Sequence, residues 1–331
     1  MTFKFENVYV NNTATVVGPY EKEGPLGSKF DKSYDDLYNG EKSWEKAEAK
    51  LLEESIDILL NKTKKKKEDI ELIVAGDLLN QISASCYGVE KFKVPFLGIY
   101  SACTTSTEGI LLASTFIDAG RVKNAVVSVS SHNMASEKQF RNPTEYGAPK
   151  PKTATFTTTG GASILLQSTK SKVKVESATI GKVCNMDQTD PNNMGAAMAV
   201  AAADTIYTHL KDTKRDVNYY DLIITGDLGL YGKDILIEYM KSEYGLDISS
   251  NYNDSGVMIY NTDTQPEVLA GGSGPACSPL VNYSYTIPLL EKGTIKRVLI
   301  VATGALFSPT FIYQKEPILS ISHAVSLESV K

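Results

Sequence analysis

A cysteine at the bend between a strand and a helix stands where a nucleophile would. This chain has one in IYSACTTSTEGILLAS, residues 99–114. The apolar run ends at Tyr100, small residues turn the chain, Cys103 follows, and a helix begins. A thiol there feels the positive end of the helix dipole, which favours thiolate. Nucleophilic turnover would also need a base and donors for an oxyanion. Of three histidines, His132 follows the apolar run AVVSVSS and is the better candidate base. His209 lies inside an Ala-rich helix and reads as a surface or satisfied residue, while His323 falls in the closing segment ILSISHAVSLE with its role open. Asp77 and Asp227 each end an apolar run. A strand-terminal Asp either caps the next turn or accepts from a polar ligand or a cation. Asn80 and Gln81 could give amide donors to a carboxylate, and Arg141 could fork onto one.

The elements that must position these residues occur twice. DIELIVAGDLLN (69–80) resembles YDLIITGDLGLY (220–231), and SACTTSTEGILLASTFIDAGRVKNAVVSVSS (101–131) resembles PACSPLVNYSYTIPLLEKGTIKRVLIVATG (275–304). Asp77 and Asp227 stand 150 positions apart, Cys103 and Cys277 174 apart. The second half therefore carries about 24 further residues between its motifs, expected as a loop or hairpin around Ser249 to Asp263. A helix precedes the first motif in each half: SWEKAEAKLLEESIDILLNK with Ser43 as N-cap, and GAAMAVAAADTIYTHLKD. Strands alternating with helices predict parallel pairing, and runs such as AVVSVS and VLIVAT suit strands covered on both faces. The expected fold is α/β: two pseudo-symmetric halves, residues 1–168 and 169–331, facing each other in a five-layer αβαβα sandwich. A ligand would sit between the halves, at the carboxyl ends of the strands. The long polar stretch 131–160, which holds Arg141, Glu145 and Tyr146, is expected to be a functional loop or a dimer contact.

Totals narrow the classes. The formal net charge of −5 gives no field that draws nucleic acid. KTKKKK, residues 62–67, is the dense basic run, read as a solvated loop or a contact with anionic headgroups. Cys86, Cys103, Cys184 and Cys277 are scattered without a CxxC, against a zinc site or a disulfide framework. The opening MTFKFENVYVNN has no apolar signal-peptide core, and no apolar run reaches about 18 residues, so no transmembrane helix is expected.

The duplication, SACTTS, NMGAAMAVAAA after DPNN, GGSGPACSP and VATGALFSP together resemble the thiolase and ketoacyl synthase superfamily. GPYEKEGPLGSKFDKSYDD, AGDLLNQ, SSHNMASEKQFRNPTEYG, TDPNNMGAAMAVAAADTI and VATGALFSPT are similar to one branch of it, the stage V sporulation protein AD family. That resemblance implies a thiolase-like fold and a homodimer, with Ala125 to Ser131 as the expected edge strand. It implies a binding protein and not an enzyme. The ligand would be dipicolinate, a planar pyridine dicarboxylate, or its calcium chelate. The setting would be the SpoVA assembly of membrane proteins at the inner membrane of the spore or forespore, serving uptake in sporulation and release in germination. No cofactor is implied.

Departures from the enzyme pattern agree with that. Ketosynthases of this superfamily carry a histidine early in the second half, where TGDLG here has Gly226 and Asp227. The turn GGSGPACSP has neither the thiolase histidine nor the ketosynthase asparagine, and VATGAL lacks the second thiolase cysteine. Cys103 keeps its bend without those partners. As a dipicolinate site, the helix start after Cys103 would give backbone N–H groups, and Thr104, Thr105 and Ser106 hydroxyls. The turn Gly271–Gly274, with Gly272 and Ser273, would allow close backbone approach, and Asn80 and Gln81 would reach the carboxylates. Asp77 and Asp227 would be the oxygen ligands if calcium came too.

Overall fold

The computed structural model describes residues 1–140 and 150–330. Five strands build the first half-sheet: β1 (Tyr9–Val17), β2 (Ile73–Gly76), β3 (Phe96–Gly98), β4 (Asn124–Ser131) and β5 (Gly160–Gln167). Five build the second: β6 (Val173–Thr179), β7 (Leu222–Thr225), β8 (Tyr252–Asp254), β9 (Arg297–Ala305) and β10 (Ser320–Ser329). Their spatial orders are β1-β5-β4-β2-β3 and β6-β10-β9-β7-β8, the same path walked twice. Tyr9 pairs with Lys174 and Val10 with Val173, which joins the halves into one continuous sheet. The short strand Thr2–Lys4 also crosses over, pairing with Ser177–Thr179.

Parallel pairing holds only in part. β2 lies parallel to β3 and β4, and β7 to β8 and β9, but β5 and β10 run antiparallel to their neighbours. β5 starts at the carboxyl end of β4, with Ser131 opposite Gly160, and so runs back along it. The expectation that Ala125 to Ser131 forms an edge is wrong. β4 lies between β5 and β2 with every residue buried, and the edges are β3 and β8. A run apolar on both faces belongs inside a sheet.

Seven helices matter for the site: α1 (Trp44–Thr63), α2 (Ser83–Val89), α3 (Thr105–Asp118), α4 (Asn133–Phe140), α5 (Met194–Thr213), α6 (Gly229–Tyr244) and α7 (Cys277–Val281). Ser43 caps α1, its Oγ accepting from Lys46 N at 3.4 Å. The helix buries Leu52, Ile56 and Leu59 against Ile73, Val126 and Leu165 of the first half-sheet. α5 does the same on the second through Ala199, Ala202 and Ile206. Between the sheets, Ile110 and Ile117 of α3 share one core with Leu280 and Val281 of α7 and with strand residues of both halves. The layers are therefore helix, sheet, helix, sheet, helix.

The extra residues of the second half are not a loop or hairpin. They lengthen α6 to 16 residues, against 7 in α2, and after β8, the counterpart of β3, they add a short helix, Ser255–Ile259. Nor is 131–160 simply a loop. It starts as α4, and Phe156–Thr157 pairs in parallel with Gly272–Ser273 from the other half. Among the described residues no helix is long and apolar enough to cross a membrane.

Candidate functional site

The bend at Cys103 is held from below. Ala102 sits in the left-handed region at φ 49°, a conformation that costs a non-glycine residue roughly 1–2 kcal/mol. The Thr105 hydroxyl stabilises it, donating to Ala102 O at 2.6 Å and accepting from Ser101 N at 3.1 Å. Gly304 of β9 lies against the bend, where a Cβ would come within 2.7 Å of Ser101 O. Thr104 is buried, its hydroxyl 2.8 Å from that of Thr107 and accepting from His323 N at 3.2 Å. The N–H groups of Thr104 and Thr105 bond to Ser101 O and Ala102 O, so these two donors are not offered to an anion.

Cys103 lies on the wall of a partly open cavity of about 60 Å³ lined from both halves. Asp227, just past β7, faces it there, with Ser136, Ser273 and Gly274 on the same surface. Leu78, Tyr100, Phe140, Met194, Met198 and Phe307 form the apolar walls. Phe140 at the end of α4 meets Phe307 edge to face, ring centres 5.9 Å apart. Thr303 Oγ1 donates to Asp227 Oδ1 at 2.5 Å. The Cys103 thiol and the Gly274 N–H also face this carboxyl, yet Oδ2 has no aligned hydrogen-bond partner. Ser136 Oγ is likewise buried and unpartnered.

The electrostatics oppose thiolate chemistry. Burial first, then the neighbouring Asp227, pushes the Cys103 thiol well above its ordinary value. Burial also raises Asp227 to about 7, against hydrogen bonds from Thr303 and Cys103 that lower it. The dipole at the start of α3 favours the thiolate by at most about 2 kcal/mol, less than the effective cost of burying an uncompensated ion. Behind the site, Glu21 is also raised to about 7 by burial, although Tyr260 Oη and Thr159 N both donate to its Oε1.

Of the expected site residues, Cys103, Asp227 and Ser273 come together. Asp77 does not: its Oδ1 accepts from Leu79 N at 2.8 Å and holds the turn after β2, while its Oδ2 accepts from Ser85 N at 2.7 Å and caps the start of α2. In the second half that task falls to Asp254, which accepts from Thr225 Oγ1, Leu228 N and Gly229 N. Asp227 is thereby released from capping, and the repeat's symmetry does not extend to the roles of its acids. Asn80 and Gln81 are exposed, carried outward by positive φ at Gln81 and Ile82. Gly272 lies behind the cavity wall, where a Cβ would stand 3.0 Å from Cys277 Sγ and Thr158 Oγ1.

His132 is not a base for Cys103. Its Nε2–H donates to Leu37 O at 2.7 Å and its Nδ1 accepts from Ala135 N at 3.4 Å, which anchors α4. Burial lowers it to about 4, so it is neutral. His323 is neutral for the same reason and braces the bend, with Nε2 3.4 Å from Ser101 Oγ. His209 is satisfied between Thr179 Oγ1 and Tyr220 Oη. Arg141, Glu145 and Tyr146 lie outside the described residues. Among the described residues no three His, Cys, Asp or Glu side chains gather to hold a metal. The apolar walls escaped sequence reasoning. Met194 and Met198 lie in NMGAAM and Phe307 in VATGALF, both noted as resemblances and neither as lining.

Comparison with known proteins follows this geometry. The family model described as stage V sporulation protein AD matches residues 1–328. The stage V sporulation protein AD of Bacillus subtilis (strain 168) is 47% identical over 328 residues, 99% of this chain and 96% of the relative. In fold, the chain is similar to cerulenin-bound OleA of Xanthomonas campestris, at TM-score 0.63 and 13% identity over 98% of this chain and 99% of that one. It is also similar to 3-oxoacyl-[acyl-carrier-protein] synthase III of Aquifex aeolicus VF5, at TM-score 0.59 and 10% identity over 97% of this chain and 99% of that one.

Proposed function

The chain belongs to the stage V sporulation protein AD family, and from that premise we propose that it is a non-catalytic dipicolinate-binding protein. The observation that carries the non-catalytic part is the pairing of Cys103 with Asp227. An enzyme of this fold needs a group that draws a proton from the thiol or steadies a negative oxygen. Asp227 makes the thiolate harder to form, and the neutral His132 and His323 are bonded elsewhere.

The binding part rests on the family resemblance, with support from a partly open cavity whose apolar walls suit a flat ring and whose Asp227 and Ser136 retain unused polar atoms. A cavity of about 60 Å³ is far below the roughly 300–1,000 Å³ of ordinary ligand sites, so binding requires Phe140 and Phe307 to part. Calcium, if carried, arrives already chelated by the ligand. In this reading the protein works beside SpoVA membrane proteins at the spore inner membrane, as a homodimer joined along the exposed edge β3.

The small cavity favours one other reading, a ligand-free adaptor for those membrane proteins. Calorimetric titration with dipicolinate, with and without calcium and against a pyridine monocarboxylate, separates the two. Saturable heat with dipicolinate alone supports the binding protein. Silence in every arm sinks it and leaves the adaptor.

A further inference from the structure

Asp227 combines three features that a merely structural acid does not need. It is buried, it lines the cavity, and its Oδ2, although the Cys103 thiol and Gly274 N–H face the carboxyl, has no aligned partner while Oδ1 is held by Thr303. Ser136 presents a second unpartnered hydroxyl to the same space. An unpaired buried polar atom is costly, and two facing one cavity imply a ligand that satisfies them.

The groups around Asp227 decide its charge when an anion arrives. Cys103 faces it from the bend, Cys277 lies nearby on α7, and Asp254 stands behind it at the end of β8. Glu21 and Tyr260 lie farther back, beside Cys277. Across the cavity are Tyr100 and Glu137, whose Oε1 bonds Lys150 Nζ at 2.7 Å. Among the described residues these neighbours are acids, apart from a lysine engaged by Glu137. An ionised Asp227 would repel a carboxylate, whereas its acid form can donate a hydrogen bond to one.

We infer that this site takes up its dicarboxylate together with one proton, carried on Asp227 as a carboxylic acid that donates from Oδ2 to a ligand carboxylate. The inference deepens the dipicolinate reading and rests on it. The proton comes from solvent, no covalent bond to the ligand forms, and the bound pair carries one negative charge fewer than its separated ionised parts.

The test is calorimetry of the wild-type protein with dipicolinate at about pH 6, 7 and 8.5, each in two buffers of different ionisation enthalpy. Proton uptake should approach one per ligand at the highest pH and fall towards zero at the lowest. Affinity should drop about tenfold per pH unit above neutrality and level off below it. Asp227→Asn, which retains a donor, should bind with an affinity independent of pH and with no proton uptake. The wild-type proton count stands even if that variant does not fold. Binding with flat affinity and no proton uptake would overturn the inference and leave the dipicolinate reading intact. No heat at any pH would overturn both.

Discussion

A partly buried thiol beside a carboxyl group gives up its proton reluctantly, because the thiolate loses hydration and meets a second negative charge. At pH 7.5 iodoacetamide should therefore modify the exposed Cys86 well before Cys103, as followed by peptide mass spectrometry. Asp227→Asn should speed the labelling of Cys103, and equal rates for Cys86 and Cys103 in the wild type would contradict the account. Glu21 and Asp227 also link stability to pH. Both have folded values raised to about 7 from ordinary values of 4.5 and 3.8, so the folded state holds more protons than the unfolded state between about 4 and 7. Stability contributed by these groups is present in full below that window, falls as pH rises through it, and stays low above it. For Glu21 the span is roughly 3 kcal/mol. Urea unfolding at several pH values should show the decline, and Glu21→Gln should flatten it. The chemistry of single residues was only partly legible in the sequence. Cys103 was evident from its bend, but Asp77 and Asp227 looked equivalent there. They differ because Asp254, far along the chain, caps α6 and frees Asp227.

Among the elements, the turn carrying Ser273 and Gly274 depends on glycine. Gly274 has φ 96°, and a Cβ there would lie 2.9 Å from Ser131 Oγ. Gly274→Ala should destabilise the protein by about 1–3 kcal/mol. It should also displace the N–H that faces Asp227, which a denaturation curve and dipicolinate titration would detect together. Helix positions were read well from the sequence because Ser43 and the apolar spacing of residues 44–63 are local signals. The strand directions were not. Whether β5 runs back beside β4 depends on where residues 132–159 leave and rejoin the sheet, which no local pattern records. The edge expected at Ala125 to Ser131 failed similarly, since its order in the sheet is set by distant partners.

At the scale of the whole molecule, the duplicated architecture was visible as two ordered pairs of motifs, and the solved structures similar to it share its fold. The open edge β3, with Leu97 exposed, is the strand able to continue the sheet into a second copy. Leu97→Arg should convert a dimer to monomers in sedimentation equilibrium, and a wild-type monomer at all concentrations would exclude this contact. The crossing of Thr2–Lys4 onto β6 has a consequence for synthesis. Its partners, Ser177 to Thr179, emerge from the ribosome long after it, and at ordinary elongation rates the wait is on the order of ten seconds. Through that interval the first half can assemble its own strands, but this short segment has no partner. The nascent chain must keep an unpaired edge out of other company until its second half begins to appear.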